Sequence, residues 1–160
     1  MNTAGTTNQR STPKALRGVL VLLGAVSTFV AVNVAFGGIE TLGLQGPTDF
    51  VQVTDRAAYA IRDSHAHYYG GVYLAVGLFL MFAATDVPRF RPTLNVVFAM
   101  IFAGGLARLT QLEPDVTFGA DLLVSTVIEL VGMPLLAWWV ARATRPVIVT
   151  TAAAQVAVPA

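Results

Sequence analysis

The chain has 160 residues, of which 55% are hydrophobic and only 12% are charged, and its formal net charge at pH 7 is +1. This composition, with a mean hydropathy of +0.66, lies outside the usual range of soluble domains and is typical of an integral membrane protein. The small net charge and the scattered basic residues exclude nucleic acid as an expected partner, and the absence of cysteine excludes disulfides, thiolate metal sites and thiol redox chemistry.

Four apolar segments occur along the chain, at residues 18–39, 68–85, 92–107 and 122–141. A helix that rises about 1.5 Å per residue needs roughly 20 residues to cross the hydrocarbon core of a bilayer. The third segment reaches that length only if its helix continues through Arg108, and the fourth contains Glu129. The sequence therefore predicts an all-α, four-helix transmembrane bundle. The predicted spans are residues 17–39, 65–85, 92–112 and 121–141, within a membrane domain at 16–142.

The basic residues predict the orientation of the bundle. If the N-terminus is cytoplasmic, most of them lie inside, namely Arg10, Lys14, Arg17, Arg89, Arg91, Arg142 and Arg145. Arg56, Arg62 and Arg108 then lie outside, which satisfies the positive-inside rule. A cleavable signal peptide is the alternative for the basic start, but the apolar run that follows exceeds the roughly 7–15 residues of a signal sequence. We therefore expect a multi-pass protein of the bacterial plasma membrane, with cytoplasmic, mobile tails at 1–15 and 143–160.

The connection between the first two spans is the only long one. It contains a turn signal at Gly46 and Pro47, and Thr54 or Asp55 follows in a position to cap a helix that runs into the second span. The sequence thus predicts that the second helix begins outside the membrane and continues into the second span.

Each span carries a polar residue at a similar depth in the outer leaflet: Asn33, Tyr73, Arg108 and Glu129. A charge at membrane depth costs about 2.5–3.5 kcal/mol on insertion scales and normally faces a partner inside the bundle. The sequence therefore predicts that Arg108 pairs with Glu129. We expect both to line a polar ligand pocket together with Asn33, His67 and Tyr73.

Small residues predict where the helices approach one another closely. Gly104 and Gly105 lie beside Arg108, and Gly70, Gly71 and Gly77 follow the second span. In a membrane, such residues remove bulk from helix contacts. These positions are therefore predicted to be packing seams.

Pro134 lies just over one helical turn after Glu129. Proline has no N–H for the carbonyl of Leu130, so it predicts a local opening of the fourth helix and a mild kink near the carboxylate.

Three roles for the charge pair remain open at this stage. It can fix helix register while Arg108 reaches toward the interface, it can form a ligand or ion site, or it can have a proton-relay or catalytic role. His65 and His67 do not favour a metal site, because residues two apart point in different directions on a helix. The sequence has no nucleophile motif, phosphate-binding loop or paired carboxylates, so no catalytic residue, metal or cofactor is predicted.

Three stretches carry a family resemblance: SHAHYYGGVYLAVGLFL, IFAGGLARLTQ and IELVGMPLLAWW. They resemble an uncharacterised family of small four-helix bacterial membrane proteins known as a domain of unknown function, over roughly residues 18–142. The matching positions are Asp63, Ser64, Tyr69, Gly104, Gly105, Arg108, Glu129, Leu130, Gly132, Pro134, Leu135, Leu136 and Trp138. His67 stands where that family usually has arginine. The resemblance implies a four-span bundle with a shared polar seam, and it implies no activity.

These observations favour a small binding or accessory membrane protein whose polar pocket takes a lipid, quinone or similar amphiphile. A larger membrane protein is a possible partner. The alternatives are a proton-coupled transporter subunit and a small membrane enzyme. A transporter more often has duplicated halves, and the first two spans share no visible motif with the last two.

Overall fold

The computed structural model describes residues 12–44 and 53–145, and every regular element within these ranges is helical. The elements are α1 (Lys14–Gly37), a 3₁₀ helix (Gly38–Leu44), α2 (Arg56–Ala83), α3 (Val87–Leu109), α4 (Pro114–Thr117), α5 (Ala120–Val127), a π-helical segment (Ile128–Gly132) and α6 (Met133–Ala143). Because α5, the π-helical segment and α6 are continuous, they form one fourth span.

Four helical stretches are long and apolar enough to cross a membrane: Lys14–Thr41, Arg56–Ala83, Val87–Leu109 and Leu122–Ala143. The predicted all-α, four-span fold is therefore confirmed, and the chain is a multi-pass membrane protein. Its orientation in the membrane stays a prediction. Most of the two predicted tails and the predicted turn at residues 46–47 lie outside the described residues.

The start of α2 follows from its capping residue. The Asp55 carboxylate accepts hydrogen bonds from the backbone N–H groups of Ala57 and Ala58, at 2.9 and 3.1 Å, and thereby satisfies donors that have no partner within the helix. The second helix therefore begins well before residue 65, as the capping signal predicts.

The third helix is displaced toward the N-terminus relative to the predicted span at 92–112. It begins at Val87, where the Asp86 carboxylate accepts from the N–H of Arg89 at 3.3 Å, and it ends at Leu109. Pro88 is tolerated in the first turn because the N–H it lacks would have no helical partner there. Pro92 lies inside the helix, so it does not mark the boundary that the sequence suggested.

Glycines bring α1 and α2 into backbone contact. A Cβ atom added at Gly70 would lie 2.7 Å from backbone atoms of Val34 and Ala35, and one at Gly24 would lie 2.7 Å from the carbonyl oxygen of Gly77. Such close approach is how membrane helices gain packing energy without a hydrophobic driving force. The predicted seam is confirmed at Gly70 and Gly77. It is wrong at Gly71, where an added Cβ would have no neighbour within 4 Å.

The buried core fills one half of the bundle, which we call the packed half. This half contains the start of α1, the end of α2, the first part of α3 and α6. Its buried residues are Leu16, Leu20, Leu80, Ala83, Ala84, Val87, Leu94, Phe98, Met133, Leu136 and Val140. The opposite half, which we call the open half, contains the ends of α1 and α3 and the starts of α2 and α5.

Candidate functional site

The predicted ion pair forms in the open half. Arg108, in the last turn of α3, donates from Nε to Oε2 of Glu129 at 2.8 Å and from Nη2 to Oε1 at 3.1 Å. Two parallel hydrogen bonds between a guanidinium and a carboxylate fix the relative position of both groups. Glu129 is buried, so the pair joins α3 to the interior of the fourth span.

Gly105 allows this pairing because it removes bulk one turn before Arg108. A Cβ atom at Gly105 would lie 2.8 Å from the Cβ of Glu129 and 3.0 Å from Cδ2 of Leu130. Any larger residue would force α3 away from the fourth span, and the guanidinium would move with it. The glycine predicted to form a packing seam therefore also sets the geometry of the ion pair.

The fourth span is widened around Glu129. In the π-helical segment, the N–H of Met133 donates to the carbonyl of Ile128, five residues earlier. Pro134 follows directly and has no N–H for the carbonyl of Leu130. The local opening predicted from the proline is thus present, and its form is a wide turn that contains the carboxylate. Such π-helical turns occur frequently at functional sites.

A cavity of about 450 Å³ lies beside the ion pair. It is bounded by two helix pairs, because α1 packs mainly against α2, and α3 packs mainly against α6 and the π-helical segment. Its volume falls in the range of about 300–1,000 Å³ that is usual for small-molecule sites. Leu80 and Met133 line it and also belong to the packed half. The cavity therefore extends from the ion pair to the buried core.

Most polar groups of the lining lie in the open-half part of the cavity, and the rest of the lining is mainly apolar. The polar set is Ser27, Tyr69, Tyr73, Arg108, Ser125 and Glu129. The apolar walls include Leu23, Val26, Val30, Val34, Val76, Ile101, Leu122 and Ile128. The space is thus amphipathic along its length.

Tyr73 lies close to α3 in this space. Its hydroxyl would be 3.9 Å from a Cβ atom at Gly104, so the glycine leaves the hydroxyl accessible. Within the part of the chain that the structure describes, this hydroxyl makes no hydrogen bond. Tyr69, one turn earlier, lines the same cavity. The i, i+4 spacing of the two tyrosines is the signal that places them on one helix face, and sequence reasoning assigned only Tyr73 to the pocket.

Asn33 and His67, the other two residues predicted for the pocket, do not line the cavity. The side-chain amide of Asn33 donates to the carbonyl of Phe29, one turn earlier in the same helix, at 2.8 Å. The Nδ1 atom of His67 lies 2.7 Å from the carbonyl oxygen of Ala35. Both side chains are therefore engaged with the backbone of α1. Asn33 has the predicted depth of Arg108 and Glu129, but its side chain lies on a different helix face. His67 lies beside the end of α1.

His67 instead belongs to a group that holds the end of α1. Its Nε2 lies 3.4 Å from Oδ2 of Asp63, and Oδ1 of the same carboxylate accepts from the backbone N–H of Ile39 at 2.8 Å. The chain turns at Gly38, which has a φ of +63° and where a Cβ atom would collide with Asp63. These contacts attach the end of α1 and the start of the first connection to α2.

The described residues contain no group of three His, Cys, Asp or Glu side chains that could hold a metal ion. The polar end of the cavity therefore has hydrogen-bonding chemistry to offer: a guanidinium, a carboxylate and phenolic and aliphatic hydroxyls.

The chain belongs to the family described as Domain of unknown function (DUF4345), whose model matches residues 15–140. The match extends from α1 into α6 and so includes all the residues of the cavity. The expected membership of a family of unknown function is confirmed, and the description of that family assigns no activity. No curated protein and no solved structure matches the chain.

Proposed function

We propose that the chain is a non-enzymatic binding or accessory protein that holds a lipid, quinone or similar membrane amphiphile in the cavity beside Arg108 and Glu129. The observation that carries this proposal is the division of the cavity into a polar end and a long apolar part. An amphiphile has the same division. Its head would meet Tyr73 and the ion pair, and its tail would lie among the valine and leucine side chains.

The arrangement of the helices supports access from the bilayer. Helix α1 packs extensively against α2, whereas its contact with the fourth span is slight. Val26 of α1 and Ile128 of the fourth span both line the cavity, and their exposed fractions are 54% and 38%. We therefore place the path of the tail between α1 and the fourth span.

The test is whether the protein retains an amphiphile when it is extracted gently, measured by native mass spectrometry. Ser27 lines the cavity, so Ser27→Phe should fill the space and reduce the occupancy. Ala25→Phe introduces the same ring at an exposed position of the same helix and serves as the matched control. We expect the wild type and Ala25→Phe to carry a lipid or quinone and Ser27→Phe to carry much less.

Two results would overturn the proposal. The first is a wild-type protein that carries only detergent and whose melting temperature does not change when lipids or quinones are added. The second is full occupancy in a folded Ser27→Phe variant, because the bound molecule would then lie elsewhere on the surface.

A further inference from the structure

We infer that the head of the bound amphiphile is uncharged and presents hydrogen-bond acceptors of the carbonyl type, as in a glycerol ester or a quinone. This inference rests on the proposed function and adds the chemical class of the ligand. It is drawn from the charge and the unused donors of the polar end of the cavity.

The formal charges at the polar end cancel. Among the described residues that line the cavity, the formally charged ones are Arg108 and Glu129, and they neutralise each other through two hydrogen bonds. A charged head would add an uncompensated charge to a space whose remaining lining is uncharged, and unpaired charges away from water are disfavoured. An uncharged head leaves the net charge of this part of the cavity at zero.

An anionic head has a further disadvantage. A phosphate or carboxylate that reached the free hydrogens of Arg108 would bring a second negative charge close to the buried carboxylate of Glu129. Two carboxylate-like charges at one site disfavour each other's ionised form. A cationic head would be repelled by Arg108 and could approach Glu129 only on the side that the guanidinium leaves free.

Several hydrogen-bond donors at the polar end remain unused. A guanidinium has five N–H groups, and Nε and Nη2 of Arg108 each use one on Glu129. The hydrogens on Nη1 stay available, as does the Tyr73 hydroxyl described above. The Ser125 hydroxyl already donates to the carbonyl of Leu122 at 2.8 Å. Free donors of this kind are satisfied by a carbonyl oxygen, which is an acceptor only.

The experiment compares probes that share an oleyl chain and differ in the head. Monooleoylglycerol is neutral and has an ester carbonyl, oleyl alcohol is neutral and has none, oleyl sulfate is a permanent anion, and oleyltrimethylammonium is a permanent cation. A short-chain ubiquinone adds a second neutral carbonyl head. Each probe is titrated against the purified full-length protein in detergent micelles at pH 7, with binding followed by native mass spectrometry and by the shift in melting temperature.

We expect monooleoylglycerol and the quinone to bind at least tenfold more tightly than either ion and more tightly than oleyl alcohol. Tyr73→Phe removes one donor and should weaken the two carbonyl probes about fivefold, the usual effect of one hydrogen bond. Tyr68→Phe changes a neighbouring ring that is exposed and does not line the cavity. This control should bind as the wild type does.

The outcomes separate this inference from the proposed function. If an ionic probe binds as tightly as the neutral carbonyl probes or more tightly, the head is not an uncharged acceptor, although the cavity still binds an amphiphile. If oleyl alcohol matches monooleoylglycerol, or if Tyr73→Phe leaves carbonyl binding unchanged, the assignment of a carbonyl head is wrong. If no probe binds, the proposed function itself fails.

Discussion

Removing Arg108 from the ion pair should destabilise the protein more than removing Glu129. The side chain of Glu129 is 10% exposed and that of Arg108 is 36% exposed. Arg108→Gln leaves a buried carboxylate unpaired, which costs about 3–5 kcal/mol. Glu129→Gln leaves a guanidinium that can reach toward water, and we expect a loss of only about 1–2 kcal/mol after allowance for that exposure.

The double variant Arg108→Gln/Glu129→Gln leaves neither charge beside the cavity. Its loss of stability should be smaller than the sum of the two single losses. The assay is reversible unfolding in mild detergent, followed by circular dichroism. At roughly 2–4 °C per kcal/mol for a chain of this length, Arg108→Gln should lower the melting temperature by roughly 6–20 °C. Arg142→Gln is the control, because Arg142 lies over the ring of Trp138 at 5.7 Å, and such a contact is worth about 0.5–1 kcal/mol at exposed sites.

Two results would refute this reasoning. Strictly additive losses would mean that Arg108 and Glu129 do not interact. A larger loss for Glu129→Gln than for Arg108→Gln would mean that the burial of the carboxylate does not control the energetics of the pair.

Three further predictions concern the helix seam, the cap and the orientation. Gly70→Ala should cost about 1–3 kcal/mol by overpacking while Gly71→Ala is neutral or slightly stabilising; equal unfolding midpoints for the two variants would contradict the seam. Asp55→Ala should cost about 1 kcal/mol of stability and increase hydrogen exchange in the first turn of α2, and unchanged exchange would mean that the cap does not hold that turn. Reporter fusions after Arg145 should be cytoplasmic and fusions within residues 46–55 external; a cytoplasmic signal from the latter would reverse the orientation.

The spans could be predicted because a bilayer imposes a length and a composition that one sequence displays directly. The start of α2 could also be predicted, because an aspartate at the N-cap satisfies backbone donors both inside and outside a membrane. The pairing of Arg108 with Glu129 followed from the cost of an isolated charge at membrane depth. Each of these inferences depends on a local rule or on a cost that is large compared with packing details.

The helix faces of Asn33 and His67 could not be predicted in the same way. Counting residues from a helix end gives depth, and Asn33 has the predicted depth of the ion pair. Whether a polar side chain turns inward depends on competition from nearby backbone carbonyls. Asn33 finds an acceptor in Phe29 of its own helix, which side chains of this type commonly do, and His67 finds one at the end of α1. Neither acceptor is visible in the hydrophobic pattern.

The width of the turn around Glu129 was also beyond sequence reasoning. Pro134 predicts that a hydrogen bond is lost, but the backbone can respond with a kink, a 3₁₀ turn or a π-helical turn. The close contact at Gly105 requires α3 and the fourth span to approach each other beside Glu129. Of these three backbone geometries, the structure has the π-helical turn, and it contains the carboxylate that pairs with Arg108.

Small side chains border part of the cavity. In the packed half, Leu20, Leu94 and Phe98 are buried in the core. Beside the cavity, Ser27 and Ser125 leave room that larger side chains would take up. A bundle selected only for stability would gain by larger apolar residues at these positions, because filling a cavity recovers lost contacts. Ser27→Phe should therefore raise the melting temperature of protein stripped of lipid and lose that advantage when an amphiphile is present. If the variant is less stable than the wild type in both conditions, the small residues serve helix packing, and the space beside the ion pair is a consequence of that packing.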